Sequence, residues 1–178
     1  CGPKVLLDLA KAGYDVILRP HPQSLKVETE MLDTIHEMLR DYPNVSFDTE
    51  MDATASMSRA DVMISDKSCV RFDFAFLYEK PVITLDIPVR NPELYEVADL
   101  GVIWEDTVAA RLGEVVSPED FNNIVPVVER ALKTPSSAIE ESVACWGQSG
   151  EAIAQWTVDT LARMDAEHAA EAAAPKTK

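Results

Sequence analysis

The chain has 178 residues, of which 47% are apolar and 26% charged, so it can bury the core of one full α/β domain and is too short for two large ones. Its formal net charge of −15 argues against a domain that holds nucleic acid by charge or adheres by itself to an anionic membrane. Three cysteines without a CxxC spacing, no apolar run near the roughly 18 residues that span a bilayer, and no signal peptide favour a reducing, cytoplasmic location.

Helical and strand patterns alternate along the first half of the chain. Cys1-Gly2-Pro3 leads directly into the first helical pattern without an initiator Met, which indicates a piece of a longer protein. In chain order the patterns predict a helix at 4–12, a strand at 14–18, an amphipathic helix at about 26–40, a strand at 45–47, a short helix at 51–59, a strand at 62–64, an apolar helix and a strand at 82–85. Such alternation predicts a Rossmann-like, doubly wound parallel sheet.

The second half is less regular. It contains a loop at 87–92, a strand or turn-rich connection at 100–104, a short edge strand at 112–116, a helix from Ser117 to about Leu132 that Pro126 kinks or interrupts, and helical stretches at 138–145 and 151–167. We therefore predict one nucleotide-donor-binding domain at 1–167. The tail at 168–178 has no large apolar residue to bury and is predicted to be disordered.

A polar elbow at 65–68 separates the strand at 62–64 from the apolar helix and is the most informative feature of the sequence. In open parallel sheets, ligands bind outside the carboxyl ends of the strands, where helix N-termini offer N–H groups to a phosphate. Helix capping accounts for at least one of Ser65, Asp66 and Ser68, but three polar side chains exceed what a cap needs. Ser65 and Ser68 are therefore candidate phosphate-binding residues.

The segment Arg19-Pro20-His21-Pro22 follows the strand at 14–18, and we expect it at the same sheet edge as the elbow. Arg19 is a candidate for bidentate phosphate binding. An imidazole can move a proton or stabilise charge near neutral pH, which makes His21 a candidate catalytic residue. The alternative is a turn histidine capped by the backbone.

Asp73 lies about one turn into the apolar helix, among phenylalanines, where an unpaired buried carboxylate is costly. A ribose diol is one possible partner, and Arg71 or a backbone amide is the other. Asp86 and Asp99 lack a second carboxylate at metal-ligand spacing, so we predict no metal site and no cofactor built into the protein.

Two motifs carry a family resemblance: Arg19-Pro20-His21-Pro22-Gln23-Ser24 and, about forty residues later, Ser65-Asp-Lys-Ser-Cys-Val-Arg-Phe-Asp-Phe-Ala-Phe-Leu77 followed by Lys80-Pro-Val-Ile83. This order resembles the carboxyl-terminal half of the CDP-glycerol glycerophosphotransferase family, whose members build teichoic-acid-type polymers. The resemblance implies half of a GT-B architecture, with His21 beside the donor phosphates as general base or electrostatic stabiliser, Ser65 and Ser68 at the pyrophosphate, and Asp73 at the ribose.

The resemblance also implies partners. The donor would be a CDP-activated polyol, and the family's amino-terminal GT-B half, which carries the acceptor and membrane-facing surface, would be a separate part of the protein. This piece alone would bind nucleotide weakly and be inactive, and the parent protein would be cytoplasmic, at the inner face of the cell membrane. Lys67 and Cys69 depart from the small residues expected in the elbow.

Two other functions fit the same residues. A GT-B glycosyltransferase or nucleotide-sugar epimerase that uses a UDP donor shares the elbow and the carboxylate. A non-catalytic Rossmann-like module that binds partners through its helices is an alternative of a different class.

Overall fold

The structure, a computed structural model, describes residues 2–87, 104–134 and 142–173. It divides into two compact units, Cys1–Ile139 and Glu140–Lys178. The first unit is mixed α/β with parallel strands, as the sequence predicts.

The described elements of the first unit alternate between helix and strand. In chain order they are α1 (Gly2–Lys11), β1 (Val16–Leu18), α2 (Ser24–Val27), α3 (Thr29–Leu39), β2 (Val45–Phe47), α4 (Thr54–Arg59), β3 (Met63–Ser65), α5 (Val70–Tyr78), β4 (Val82–Leu85), α6 (Trp104–Leu112), β5 (Gly113–Val116), a 3-10 helix (Pro118–Asn123) and α7 (Ile124–Ala131).

The described strands form two hydrogen-bonded sheets, and each pair of neighbouring strands in them is parallel. β1 pairs with β2, and β3, β4 and β5 form a sheet in that order. β5 is an edge strand, as predicted for 112–116, although Leu112 itself ends α6. Arg19 follows a strand of the first sheet and the elbow follows a strand of the second, so the two motifs do not follow strands of one hydrogen-bonded sheet. Val16 of β1 and Ile64 of β3 nevertheless pack against the same apolar cluster.

β4 lies at the centre of the three-stranded sheet, and its four residues are buried. Ile83 and Leu85 belong to a cluster with residues of α1 and α7, whereas Val82 belongs to a cluster with residues of α5 and α6. Side chains of a strand alternate between the two faces of its sheet, so helices cover both faces of β4. This arrangement explains why the strand reads as a continuous apolar run apart from Thr84.

Two predicted helices are interrupted. The helix predicted at 26–40 is divided into α2 and α3 at Glu28, whose φ of −122° and ψ of 33° are not helical. The helix predicted from Ser117 begins as a 3-10 helix, Ser117 makes no side-chain cap, and the break falls at Asn123. Pro126 is the third residue of α7, where the helix needs no amide donor, so proline neither kinks nor interrupts it there.

The second unit contains one long helix, α8 (Ser149–Ala173). It extends beyond the predicted end at about 167, because the residues after His168 are mostly alanines, the best helix formers. The predicted disordered tail thus begins inside a helix, and residues 174–178 lie outside the described part of the chain. The predicted loop at 87–92 and the predicted element at 100–104 also lie mostly outside it, although Trp104 itself begins α6. Of the helical stretch predicted at 138–145, the first four residues lie outside it, and residues 143–145 form a bend and a turn instead of a helix. Of the helices that the structure describes, none has the length and apolar character to cross a membrane.

Gly113 offers a direct test of the sheet, because a Cβ atom there would lie 2.1 Å from the carbonyl oxygen of Val82, its register partner. That contact is impossible without moving β5 away from β4. We expect Gly113→Ala to lower the free energy of unfolding by about 2–4 kcal/mol, measured by urea denaturation. Gly2→Ala is the matched control, since nothing lies within 4 Å of its added Cβ. Equal unfolding midpoints for the two variants would contradict this packing.

Candidate functional site

Arg19 follows β1 directly, and its guanidinium binds to the segment that follows β2. Nη1 lies 2.6 Å from Asp48 Oδ2, and Nη2 donates to the backbone carbonyls of Glu50 and Met51. These contacts connect the ends of two neighbouring strands. The structure therefore places this predicted phosphate-binding residue in an internal ion pair.

Asp48 is the centre of that network. Besides Arg19, its carboxylate accepts hydrogen bonds from the Ser56 hydroxyl and from the Glu50 amide, the latter at 2.9 Å. The Ser56 hydroxyl is the largest cause that holds the pKa of Asp48 below its ordinary value, followed by the Glu50 amide and then Arg19. Asp48 is therefore a structural carboxylate that the sequence reading did not single out.

His21 is exposed, and its ring and carbonyl accept hydrogen bonds from amides at the start of α2. Nδ1 accepts a hydrogen bond of 3.2 Å from the amide of Gln23, and the His21 carbonyl accepts the amides of Ser24 and Leu25. In the neutral imidazole this arrangement puts the proton on Nε2. The contacts match a turn histidine capped by the backbone, and they leave the Nε2–H group without a partner among the described residues. No described hydrogen bond joins His21 to the elbow.

The elbow begins at Ser65, which is the last residue of β3 rather than the first residue after it as predicted, and residues 66–68 turn the chain toward α5. Asp66 Oδ1 accepts the amide of Ser68 at 3.0 Å, so Asp66 shapes the turn. The hydroxyls of Ser65 and Ser68 form no hydrogen bond with described residues, and both residues are half-buried. The amides of Cys69 and Val70 likewise donate to no described acceptor. Two hydroxyls and two amides are thus open at the N-terminus of a nine-residue helix.

Asp73 is exposed in the first turn of α5 and forms no hydrogen bond or ion pair with the described residues. The expectation that its carboxylate is buried is therefore wrong. The reason is that α5 buries Arg71, Phe72, Phe74 and Ala75 and turns residue 73 outward. Arg71 does not pair with Asp73, since its described hydrogen bond goes to Thr84. The exposed carboxylate can accept hydrogen bonds from a ligand.

Lys67 connects the elbow to two other elements. Its Nζ lies 3.0 Å from Asp86, just after β4, and 3.2 Å from Asp106 on α6. Both carboxylates raise the pKa of Lys67, the hydrogen bond to Asp86 most strongly. The sequence signal was the departure of Lys67 from the expected small residue, but its two distant partners could not be predicted. The hydrogen bond between Arg71 and Thr84 was not predicted either.

Other kinds of site find little support in the described residues. Within residues 2–87, 104–134 and 142–173, no three side chains of the metal-binding types form a group that could hold an ion. An open cleft of about 500 Å³ lies beside α3 and β2, lined among others by His36 and Phe47, whose rings stack at 3.5 Å. It includes none of the predicted site residues.

Comparisons of the chain with protein-family models, with curated proteins and with solved structures found no match. The resemblance to the glycerophosphotransferase family therefore rests on the two sequence motifs alone.

The low pKa of Asp48 predicts a pH dependence of stability. A carboxyl group whose pKa falls below its ordinary value of 3.8 on folding stabilises the protein above that value, and the contribution is lost as pH falls through the folded pKa. We expect Asp48→Asn to lower the free energy of unfolding at neutral pH and to flatten the loss of stability below about pH 4. Urea denaturation across this pH range measures both effects.

The matched control for Asp48→Asn is Asp15→Asn. Asp15 is exposed and has no hydrogen bond or ion pair among the residues that the structure describes. Its substitution should leave the pH profile unchanged. An unchanged profile for Asp48→Asn as well would show that the Arg19–Asp48–Ser56 network is not formed in solution.

Proposed function

We propose that this chain is the donor-nucleotide-binding half of a glycerophosphotransferase-like enzyme with GT-B architecture. The enzyme would transfer glycerol phosphate, or a related polyol phosphate, from a CDP-activated donor to an acceptor hydroxyl in cell-envelope polymer synthesis. The observation that carries the proposal is the elbow, where two open hydroxyls and two open amides meet the N-terminus of α5 after a parallel strand. That arrangement suits a phosphate group.

The diphosphate of the donor fits the elbow because each open group is a hydrogen-bond donor. The amides of Cys69 and Val70 lie at the positive end of the α5 dipole, and the hydroxyls of Ser65 and Ser68 can rotate to donate to phosphate oxygens. The positive charge of Lys67 is neutralised by its ion pairs with two carboxylates, so it is not available to a phosphate. Backbone geometry and hydroxyls, rather than exposed cations, would therefore bind the phosphates.

The ribose of the donor would bind at Asp73. Its carboxylate is exposed on the first turn of α5, close in sequence to the phosphate-binding groups, and has no described protein partner. A carboxylate is an acceptor only, so it can accept hydrogen bonds from both hydroxyls of a diol.

His21 would act as an electrostatic stabiliser rather than as a general base. Because the Gln23 amide donates to Nδ1, the neutral ring presents Nε2–H, which donates to an oxygen but cannot remove a proton. In the reaction, the acceptor hydroxyl oxygen forms a bond to the phosphorus that carries glycerol. The bond from that phosphorus to CMP breaks with its electron pair on the CMP oxygen, and the hydroxyl proton passes to solvent. A donor at Nε2 would stabilise the negative charge that develops on the phosphoryl oxygens.

The rest of the enzyme would supply the acceptor. In a GT-B enzyme the second Rossmann-like half closes over the donor, so the amino-terminal half is the proposed partner and the chain described here would be inactive alone. We place the enzyme in the cytoplasm, with contact to the membrane only through that other half.

Nucleotide titration tests the donor class. We expect CDP and CMP to bind more tightly than UDP and ADP, by calorimetry or by amide NMR shifts that include Ser68 and Asp73. A preference for UDP would instead support a UDP-sugar enzyme. No binding of any of the four at millimolar concentration would contradict both and favour an interaction module.

Two substitutions separate the phosphate and ribose contacts. Ser68→Ala should lower the affinity for CDP about tenfold and leave the affinity for cytidine unchanged, because it removes a hydrogen-bond donor to phosphate. Asp73→Ala should lower the affinity for ribonucleotides and leave the affinity for their 2′-deoxy forms unchanged. Asp61→Ala is the matched control for the carboxylate, since Asp61 is exposed and precedes β3 at the other end of the strand. Unaltered affinities in folded variants would show that the elbow is not the donor site.

The histidine rings provide an internal test of the role of His21. On saturation with CDP, the ring ¹⁵N and ¹H signals of His21 should shift, with Nε2 remaining protonated. His36, which stacks on Phe47, should not shift. If the ring signals of His21 do not change when CDP binds, His21 does not contact the donor phosphates.

A further inference from the structure

Arg71 is a buried cation with few described partners. It is the second residue of α5 and only 1% exposed. Nη1 donates a long hydrogen bond of 3.4 Å to Thr84 Oγ1, and Nε has no hydrogen-bond partner among the residues that the structure describes. The guanidinium carbon lies 4.9 Å from the centre of the Phe72 ring. These contacts include no carboxylate.

The other cations with described contacts near the carboxyl ends of the strands are neutralised. Arg19 pairs with Asp48, and Lys67 pairs with two carboxylates. A buried charge without an ion partner is destabilising, and replacing it with an apolar side chain of similar volume is often neutral or stabilising. The contribution of Arg71 to stability therefore does not by itself explain why an arginine occupies this buried position.

The position of Arg71 connects it to the elbow. Thr84 is the register partner of Ser65, and neighbouring residues of paired strands place their side chains on the same face of a sheet. Val82 and Met63, two residues earlier on each strand, pack in the cluster that contains α5. Ser65 and Thr84 hence face α5, and Arg71 donates to Thr84 directly beneath the start of the elbow.

We propose that Arg71 is a positioning residue that makes the elbow selective for multiply charged phosphates, pyrophosphate above monophosphate. The inference rests on the proposed function, because it names the charge that serves the donor phosphates. Arg71 is too deeply buried to touch the ligand. It acts through its field, which is strong because little water screens a buried charge, and through Thr84, which it holds beside Ser65.

A field of this kind has a specific signature: its effect grows with the charge of the ligand. Removal of the Arg71 charge should lower the affinity for inorganic pyrophosphate and CDP most. The affinity for inorganic phosphate and CMP should fall less, and the affinity for cytidine should not change. A residue that only supported the fold would weaken all of these ligands together or only lower stability.

The experiment compares Arg71→Met, which removes the charge, with Arg71→Lys, which keeps it. Calorimetry with inorganic pyrophosphate, inorganic phosphate, CDP and cytidine should show about a tenfold loss for pyrophosphate in Arg71→Met and most of the affinity retained in Arg71→Lys. Arg130→Met is the matched control, since Arg130 forms an exposed pair with Glu114 and α7 packs on the other face of β4. It should bind all four ligands like the wild type.

Stability provides the second readout. Arg71→Met should unfold at the same or a higher urea concentration than the wild type, because it removes an unpaired buried charge. If Arg71→Met does not fold, Arg71→Gln replaces it in the same comparison. Failure of both to fold would overturn the proposal, since Arg71 would then be a structural residue.

The outcomes separate this inference from the proposed function. CDP binding that is equally tight in the wild type and Arg71→Met would overturn the role of Arg71 and leave the donor site intact. Pyrophosphate binding that depends on Arg71, without any preference for cytidine nucleotides, would support Arg71 and contradict the CDP donor. A wild type that binds neither pyrophosphate nor CDP would overturn both.

Discussion

The burial of β4 on both faces is the constraint on which the first unit depends. Because apolar clusters cover the strand from both sides, α5 and α6 must lie on one face and α1 and α7 on the other. This layering brings the end of β3 and the start of α5 to the same place. Thr84 is the one polar residue in β4, and it is buried where those two elements meet. A hydrophobic requirement therefore determines where the polar site can form.

Charge is distributed unevenly around that site. Asp66 of the elbow and Asp106 of α6 are exposed, and Lys67 neutralises part of the negative charge by pairing with Asp86 and Asp106. Arg71 lies underneath and makes no described contact with a carboxylate. In a chain with a net charge of −15, an anion would thus be repelled by the surroundings and attracted locally. Such a site would favour ligands that reach the amides at the helix end over anions that only approach the surface.

The sequence predicted the features that depend on local patterns. The strands at 45–47 and 82–85 have their predicted bounds, because β-branched and apolar runs between turn residues are local signals. Residues 66–68 of the elbow also lie between strand and helix as expected, although Ser65 belongs to β3. The partners of Arg19, Lys67 and Arg71 were not predictable, since each ion pair or hydrogen bond joins residues that only the tertiary fold brings together. The exposure of Asp73 was missed because an apolar helix can still turn one residue outward.

The junction of α6 and β5 has a consequence for the whole edge. α6 ends at Leu112 and β5 begins at Gly113, so no loop separates helix from strand. Each residue added to a helix rotates what precedes it by about 100°. An insertion or deletion at this junction would therefore turn Asp106 away from Lys67, although neither residue had changed. The rotation of α6 about its axis relative to β5 is thus part of what brings Asp106 to Lys67 of the elbow.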